Sequence, residues 1–387
     1  MEEDNVKALM IYAFLRGVGV GCFRTLFPLY LVDLGYKLED VGLISTLALI
    51  PNVLILPIIG FLTDYVGRRP MIILTGIFTA LSLLIPSLTT LYPLLLLSSA
   101  LLSFSVFSGQ PSRSALIADS VDVKRLGEAF AKVTLMFTMA SAITPFIAGI
   151  AVEPLGYPMV FQLCGLLSFL GILYFVVRSK EVKRGRVTRG LKVEFIDTFK
   201  VEKSIIWLYA FVSIDRFAWN LWFPLMNAYF RDYLRMNPSI VGLYNSLIYS
   251  IVTITGYASG RIIDIIGYLG GLLTSEIIGS ASAAMLGLAP NNTTLILGLM
   301  GIGLSLSLWI PSYNIAIALN SNPKVRGRIY SKMNALRIGF STPAPWIGGF
   351  IMEYIWIAGA FIASSILMLM NLSLIVWKLK VKAKHEV

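Results

Sequence analysis

The chain has 387 residues, of which 57% are hydrophobic and only 14% are charged. Soluble proteins have about a quarter of their residues charged, so this composition excludes the soluble classes and indicates a membrane protein. The formal net charge of +11 would suit a nucleic-acid-binding protein only if the basic residues formed one binding surface. Their distribution along the chain does not indicate such a surface.

Twelve membrane-spanning helices are predicted, since a span needs only about 20 apolar residues. In chain order, stretches without any charge cover residues 41–63, 71–112, 133–152, 154–177, 277–323 and 354–377. The two longest stretches hold two spans each, divided by turn signals at 86–93 and 290–293. Stretches with a few charges, at 8–32, 205–230, 239–263 and 329–352, complete the twelve. The fold class is therefore an all-α polytopic membrane protein.

The sequence carries little sign of processing or of enzyme chemistry. The N-terminal residues MEEDNVK are acidic and have no cleavage-site pattern, so we expect the first span to stay in the mature protein. Cys22 and Cys164 fall inside predicted spans and cannot form a disulfide framework. The single histidine, His385, lies in the charged tail, and no nucleotide loop, metal-ligand cluster or catalytic triad is visible. We therefore predict no enzymatic activity, no cofactor and no metal.

The positive charges follow the topology of a membrane protein. With both termini in the cytosol, 22 lysines and arginines fall on inner segments and three, Lys37, Arg231 and Arg235, fall outside. This is the positive-inside bias, and it predicts a multi-pass protein of the cytoplasmic membrane with both termini cytosolic. The basic tail and the basic stretch after Arg178 can contact anionic lipid heads, so lipids rather than nucleic acid are the expected partners.

An internal repeat divides the chain into two halves. Adding 200 to a residue number maps Gly60 onto Gly260, Asp64 onto Asp264 and Gly67 onto Gly267. The same offset maps Pro111-Ser112, Gly127, Pro145, Gly149 and Glu153 onto Pro311-Ser312, Gly327, Pro345, Gly349 and Glu353. At the first span of each half the offset becomes 196, with Phe27-Pro28-Leu29 matching Phe223-Pro224-Leu225.

Because each half has six spans, both halves enter the membrane from the same side and the repeats are parallel. The predicted domains are a six-helix bundle at 1–178, a basic cytosolic linker at 179–203 and a second six-helix bundle at 204–387. A solute site is expected between the repeats near the midplane. We expect the protein to act as a monomer.

The stretch GFLTDYVGRR, from Gly60 to Arg69, lies between the second and third spans, on the predicted cytosolic side. Gly60 permits close helix packing, Gly67 can take the positive φ of a tight turn, and Asp64 requires a hydrogen-bonding or basic partner. The alternative is a charged turn that only anchors two helices at the interface.

This stretch resembles the loop between helices 2 and 3 of the major facilitator superfamily of secondary transporters. The stretch Ala115 to Phe130 is similar to the junction of helices 4 and 5 in that family, and Thr144 to Gly149 resembles a reduced helix 5 motif of its exporters. The resemblance covers essentially the whole chain. It implies two six-helix bundles that work by alternating access.

The resemblance also implies a gate. Asp64 and Arg68, together with Asp119 and the start of helix 11, are expected to latch the cytosolic side, with Gly60 and Gly67 shaping the turn. Two departures from the family pattern stand out: Tyr268 and Leu269 replace the two arginines in the second copy, and Arg113 lies nearer the cytosolic end than the usual arginine of helix 4. The second departure argues against the drug-proton antiporters.

Charged groups inside the spans give the candidate solute site, because ionisable groups at depth face a cavity or a partner. The family's cavity is lined by helices 1, 4, 7 and 10, with helices 5 and 11 beside them. The candidate solute-binding residues are Arg16, Arg24, Arg113, Arg216, Asn220, Asn227 and Arg337. Surplus arginine favours an anionic or zwitterionic solute, because guanidinium binds carboxylate and phosphate through paired hydrogen bonds. For Arg16 and Arg113 there is a competing interpretation, in which the long side chain extends to the inner face of the bilayer and binds no solute.

Asp215 is the candidate proton-coupling group, as the one acidic residue at mid-depth on a helix expected to line the cavity. Glu276 lies on helix 9, peripheral in the family's fold. It is expected to be a structural partner, and it is the next candidate for proton coupling if Asp215 does not serve. The sequence thus predicts a secondary transporter of a small organic anion or zwitterion, with protons as the candidate coupling ion. Two alternatives stay open: a proton-coupled multidrug efflux antiporter, and a membrane receptor or scaffold that moves no solute.

Overall fold

The computed structural model describes residues 2–122, 125–181, 205–288, 291–320 and 326–385. The first half contains α1 (Glu2–Asp33), α2 (Leu38–Val66), α3 (Arg68–Leu88) and α4 (Tyr92–Ser120), followed by α5 and α6, which are the two arms of the bent helix Leu126–Arg178. Each of these segments is apolar over a length that crosses a bilayer.

The second half repeats this series with two interruptions. The segment α7 joins Ile206–Trp222, the 3-10 turn Phe223–Leu225 and Met226–Asp232, and α8 and α9 are the arms of the bent helix Pro238–Leu288. The remaining segments are α10 (Asn292–Leu319), α11 and α12 (Gly359–His385), where α11 joins Arg326–Ser341, Ala344–Phe350 and the π-helical turn Ile351–Ile355.

These segments confirm the prediction of twelve spans in an all-α protein. Within the described ranges, nine helices are long and apolar enough to cross a membrane, and one of them, Leu126–Arg178, supplies two spans. The other two are α7 and α11, whose helices are interrupted near Pro224 and Pro343. Proline removes a backbone donor and breaks a helix. Pro28, which the sequence pairs with Pro224, lies inside the unbroken α1, so the repeat has diverged at this point.

Glycines with positive φ form the turns between consecutive spans. Gly67, between α2 and α3, has a φ of 107°, and Gly267, between α8 and α9, has a φ of 73°. The two residues are 200 positions apart, and their shared backbone conformation confirms the tight turn predicted at Gly67 and supports the repeat. Gly156 has a φ of 75° between α5 and α6. Left-handed backbone of this kind is costly for residues with a Cβ.

The residues group into two compact units. Unit 1 comprises Met1–Tyr36, Leu47–Asp197 and Asn227–Ser246, and unit 2 comprises Lys37–Thr46, Thr198–Met226 and Leu247–Val387. The predicted linker at 179–203 lies almost wholly outside the described residues, so the predicted domain boundaries stay a prediction.

Each unit has its own apolar core. That of unit 1 packs Tyr12, Ile72, Leu116 and Phe175, and that of unit 2 packs Phe211, Leu272, Met333 and Ile375.

Each unit also contains a reciprocal pair of glycine contacts. In unit 1, a Cβ added to Gly242 would overlap the carbonyl oxygen of Pro145, and one added to Gly149 would overlap that of Pro238. In unit 2, a Cβ added to Gly42 would overlap the carbonyl oxygen of Pro345, and one added to Gly349 would overlap that of Leu38.

All four residues of one unit correspond to those of the other through the offset of 200. Small residues that let backbones approach closely are typical of helix packing in membranes, so this contact belongs to the original repeat.

A carboxylate accompanies each of these glycine contacts. In unit 1, Ser239 at the start of α8 donates its hydroxyl to Glu153 Oε1 at 2.8 Å. In unit 2, the backbone N–H of Leu38 at the start of α2 donates to Glu353 Oε2 at 3.3 Å, and Lys37 Nζ lies 3.7 Å from Glu353 Oε1. Glu153 and Glu353 are also 200 positions apart, so the first turns of α2 and α8 are held by equivalent acidic residues.

We predict that Gly242→Ala lowers the thermal stability of the protein purified in detergent, because the new methyl group collides with backbone at Pro145 rather than with a side chain that can turn away. Overpacking of this kind costs about 1 to 3 kcal/mol. The matched control is Gly256→Ala in the same bent helix, where an added Cβ meets nothing within 4 Å. Equal unfolding temperatures for the two variants would contradict the packing described here.

Candidate functional site

The turn between α2 and α3 is held by contacts within unit 1. Arg68 forms an ion pair with Asp119 at the end of α4, and the Asp119 side chain is 4% exposed. The predicted gate residues Arg68 and Asp119 are therefore neighbours. Gly60 and Asp64 lie in α2, but their surroundings fall outside the described part of the structure, so the predicted roles of both residues stay predictions.

The second arginine of this stretch has a role that the sequence did not reveal. Arg69 donates from Nη2 to the carbonyl oxygen of Val176 at 2.6 Å and from Nε to Ser179 Oγ at 3.0 Å. The carboxylate of Glu181 accepts the backbone N–H groups of Arg68 and Arg69 at 3.0 and 2.8 Å. These amides begin α3 and have no partner within that helix, so Glu181 supplies the missing cap.

Arg16 is buried in the middle of α1, with 3% of its surface exposed. Its Nη2 atom donates to the carbonyl oxygen of Ser105 at 3.2 Å and lies 3.4 Å from Ser105 Oγ. Its guanidinium stands 5.7 Å from the ring centre of Phe137. Ser105 in turn donates to the carbonyl oxygen of Thr75 on α3. This buried network holds the guanidinium inside the unit, contrary to the interpretation that Arg16 reaches the membrane surface.

Arg113 on α4 is a neighbour of Arg16. Tyr12, which lies one turn before Arg16 on α1, is beside Arg113 as well. Neither arginine has a carboxylate partner among the side chains described in unit 1. Arg16 Nε and Arg113 Nη1 are buried donors without an acceptor in the same part of the structure. Guanidinium groups with unused donors have the chemistry that binds carboxylate and phosphate groups.

The other two candidates in unit 1 have different surroundings. The side chain of Arg24 is exposed, and its carbonyl oxygen accepts a hydrogen bond from Asn227 Nδ2 at 3.1 Å. Asn227 also accepts from Asn245 Nδ2 at 2.7 Å. Asn227 is therefore occupied by helix packing. Arg24 lies within electrostatic reach of Arg16, but its own side chain is exposed.

In unit 2, Asp215 lies next to Glu276, the acidic residue that the sequence placed on a peripheral helix. Asp215 on α7 and Glu276 on α9 are 3% and 2% exposed, and their carboxyl groups are within hydrogen-bonding reach of each other. Arg216, Arg337 and Trp219 also adjoin Asp215. The sequence could not show this pairing, because Asp215 and Glu276 lie on different helices with no shared motif.

Arg337 on α11 is placed by aromatic side chains. Its guanidinium carbon stands 4.9 Å from the ring centre of Trp309 and 5.5 Å from that of Tyr313. The two rings are themselves stacked at 4.7 Å. An arginine over aromatic faces keeps its donor edge available to another group. In the sequence, only the spacing of four residues between Trp309 and Tyr313 on one helix indicated this platform.

Asn220 and Arg216 complete the candidates of unit 2. Asn220 is buried and donates from Nδ2 to Ser341 Oγ at 3.1 Å, which joins α7 to α11. Arg216 is partly buried and adjoins Asp215. Of the predicted residues in this unit, the structure thus brings Arg216, Arg337 and Asp215 together and assigns Asn220 to a helix contact.

The twelve-span architecture and these buried charged groups define the class of polytopic membrane transporters. The family model described as Major Facilitator Superfamily matches residues 9–337. The chain belongs to the major facilitator superfamily. Its twelve spans, its internal repeat and its turn at Gly67 are those expected of the family.

Proteins similar to this chain include a multidrug resistance protein and a multi-drug resistance efflux pump. It is 24% identical over 384 residues to the multidrug resistance protein MdtG of Proteus mirabilis (strain HI4320), which covers 96% of this chain and 94% of the relative. It is 29% identical over 188 residues, 46% of each chain, to the multi-drug resistance efflux pump PmrA of Streptococcus pneumoniae serotype 4 (strain ATCC BAA-334 / TIGR4).

Two solved structures show the same fold. The nucleoside transporter NupG superposes with a TM-score of 0.77 at 13% identity, over 96% of this chain and 98% of that one. The human organic anion transporter MFSD10 (TETRAN) superposes with a TM-score of 0.70 at 15% identity, over 97% and 99%. The chain is therefore a secondary transporter of small molecules rather than an enzyme.

We predict that Glu181→Ala speeds hydrogen exchange at the amides of Arg68 and Arg69 about fivefold, the equivalent of the ~1 kcal/mol that a helix cap contributes. The measurement is exchange resolved to single residues by mass spectrometry. Glu128→Ala is the control, because Glu128 is an exposed carboxylate that pairs with Lys132 and lies outside this turn. Unchanged exchange at both amides in Glu181→Ala would show that the cap contributes nothing.

Proposed function

We propose that this transporter carries a small organic anion or zwitterion. The observation that carries the proposal is the pair of Arg16 and Arg113, two neighbouring buried guanidinium groups with unused donors and no carboxylate among the described side chains beside them. Burying an arginine in the centre of a span costs about 2.5 to 3.5 kcal/mol on insertion scales. A solute that presents a carboxylate or phosphate compensates both charges.

Arg216 and Arg337 of unit 2 are a second candidate pair for an acidic solute group, and Arg24 is a candidate at the exposed part of α1. The two arginines of unit 2 differ from those of unit 1 because Asp215 adjoins them both. A solute that binds there has to compete with that carboxylate. This competition is a route from solute binding to proton binding, and it supports Asp215 as the candidate coupling group.

We place the protein in the cytoplasmic membrane, as a monomer surrounded by lipid and with both termini in the cytosol. The basic residues of the turns and termini support this orientation. The ion pair of Arg68 and Asp119 then lies on the cytosolic side and stabilises one state of the gate, with Asp64 and the Gly67 turn.

The second candidate function is a proton-coupled multidrug efflux antiporter. The names of the curated relatives favour it, since MdtG and PmrA are described as a multidrug resistance protein and an efflux pump. A site for lipophilic cations would need an accessible acidic group, and in unit 2 Asp215 already faces two arginines. The geometry therefore supports the organic anion better than the cationic drug.

We predict that Arg16→Gln and Arg113→Gln each weaken binding of a transported organic anion by about 1.5 to 3 kcal/mol, the value of a hydrogen bond to a charged group. Calorimetry on the purified protein measures the change. Arg235→Gln is the control, because the Arg235 side chain is 81% exposed. Parent-like affinity in both variants would overturn the anion proposal and favour the drug antiporter.

A further inference from the structure

Glu276 and its neighbours form a buried cluster of hydrogen-bond acceptors in unit 2. Glu276 on α9 adjoins Asp215 on α7 and Asn371 on α12. Asp215 Oδ1, Asn371 Oδ1 and both carboxyl oxygens of Glu276 are buried, and within the described residues none of the four accepts an N–H or O–H hydrogen bond. Asn371 uses its amide nitrogen on the carbonyl oxygen of Phe211 at 3.1 Å. Buried acceptor atoms without a donor are unfavourable when they are shielded from water.

The charges around the two carboxyl groups differ. Asp215 faces Arg216 on its own helix, Arg337 on α11 and Trp219, and Tyr313 on α10 also lies within electrostatic reach of it. Glu276 faces Asp215 and Asn371, and no described cation adjoins it. Neighbouring guanidinium groups favour the ionised form of a carboxyl group, whereas a neighbouring carboxylate disfavours it.

We propose that Glu276 is a proton-binding site: its carboxyl group carries a proton and donates it to the carboxylate of Asp215, which stays ionised against the arginines. Proton binding forms an O–H bond on Glu276 and supplies a donor between the two carboxyl groups. Release breaks that bond, passes the proton to water and leaves two adjacent carboxylates, which is favourable only when the arginines move closer to the pair. The proposal rests on the proposed function for its link to transport, since solute binding to Arg337 or Arg216 changes that balance.

Asp215 and Glu276 then have roles in proton coupling that differ from those expected from the sequence. Asp215 is the group that senses the arginines, and Glu276 is the group that holds the proton. The positions on the helices fit these two roles. Asp215 and Arg337 lie on α7 and α11, which carry the candidate solute-binding arginines of unit 2, whereas Glu276 and Asn371 lie on α9 and α12. A monovalent metal cation is the other ligand that oxygen acceptors can bind, and the two guanidinium groups next to Asp215 oppose it.

Infrared difference spectroscopy of the purified protein, recorded in H2O and D2O, tests the assignment. We expect the parent to show the carbonyl band of a protonated carboxyl group that shifts in D2O. Glu276→Gln is expected to lose this band. Asp215→Asn is expected to keep it at a higher frequency, because the amide is a weaker acceptor than a carboxylate. Glu128→Gln, which changes an exposed carboxylate, is the control and keeps the parent band.

Several results would overturn the proposal. These are the absence of such a band from the parent, its persistence in Glu276→Gln, and its loss from Asp215→Asn. Displacement of the band by sodium ions at constant pH would assign the cluster to a metal cation instead. Should Glu276→Gln fail to fold, Glu276→Asp, which keeps a shorter carboxyl group, is expected to retain the band at a changed frequency, and an unchanged frequency contradicts the assignment.

Flux measurements separate the proton site from the proposed function. In liposomes with an imposed pH gradient, Glu276→Gln is expected to lose accumulation of the solute and to retain counterflow, which needs no net proton movement. If the infrared result holds but the gradient drives no accumulation in the parent, the proton site stands and the coupling part of the proposed function fails. Gradient-driven accumulation by Glu276→Gln at the level of the parent would overturn Glu276 as the site of the coupled proton.

Discussion

A charged group inside a bilayer has to be stabilised by protein, by solute or by a proton, because the surrounding hydrocarbon offers neither water nor counterions. The two units meet this requirement in different ways. In unit 1, Arg16 and Arg113 have hydroxyl and carbonyl oxygens around them but no described carboxylate beside them. In unit 2, Asp215 adjoins Glu276 and two arginines. In our proposals, a solute anion compensates the first arrangement and a proton on Glu276 compensates the second.

The repeat explains which parts of the structure are shared and which are not. The turn glycines Gly67 and Gly267, the reciprocal contacts of Gly42 and Gly242, and the carboxylates Glu153 and Glu353 are equivalent in the two halves. These features shape turns and helix ends, where both bundles need the same backbone geometry. The charged residues inside the spans are not equivalent. A single ancestral bundle can therefore supply the scaffold while the chemistry of each half diverges.

Much of this account could be predicted from the sequence. Hydropathy fixes the number of spans because a bilayer demands long apolar helices, and the constant offset of 200 identifies the repeat and the turn at Gly67. Charges inside long apolar stretches also identified Arg16, Arg113 and Asp215 as candidates for buried groups. Contacts between helices could not be predicted in this way. The meeting of Asp215 with Glu276, the cap supplied by Glu181 and the platform of Trp309 and Tyr313 under Arg337 all depend on residues far apart in the chain.

The central claim is that the buried arginines select a solute by its negative charge, and a comparison of solutes in liposomes tests it most directly. The measurement is counterflow by the purified protein of radiolabelled organic acids and of their neutral methyl esters, which match them in size and shape. The account predicts that acids exchange across the membrane and that the corresponding esters do not. Exchange of esters as fast as acids, or of lipophilic cations but not acids, would contradict it.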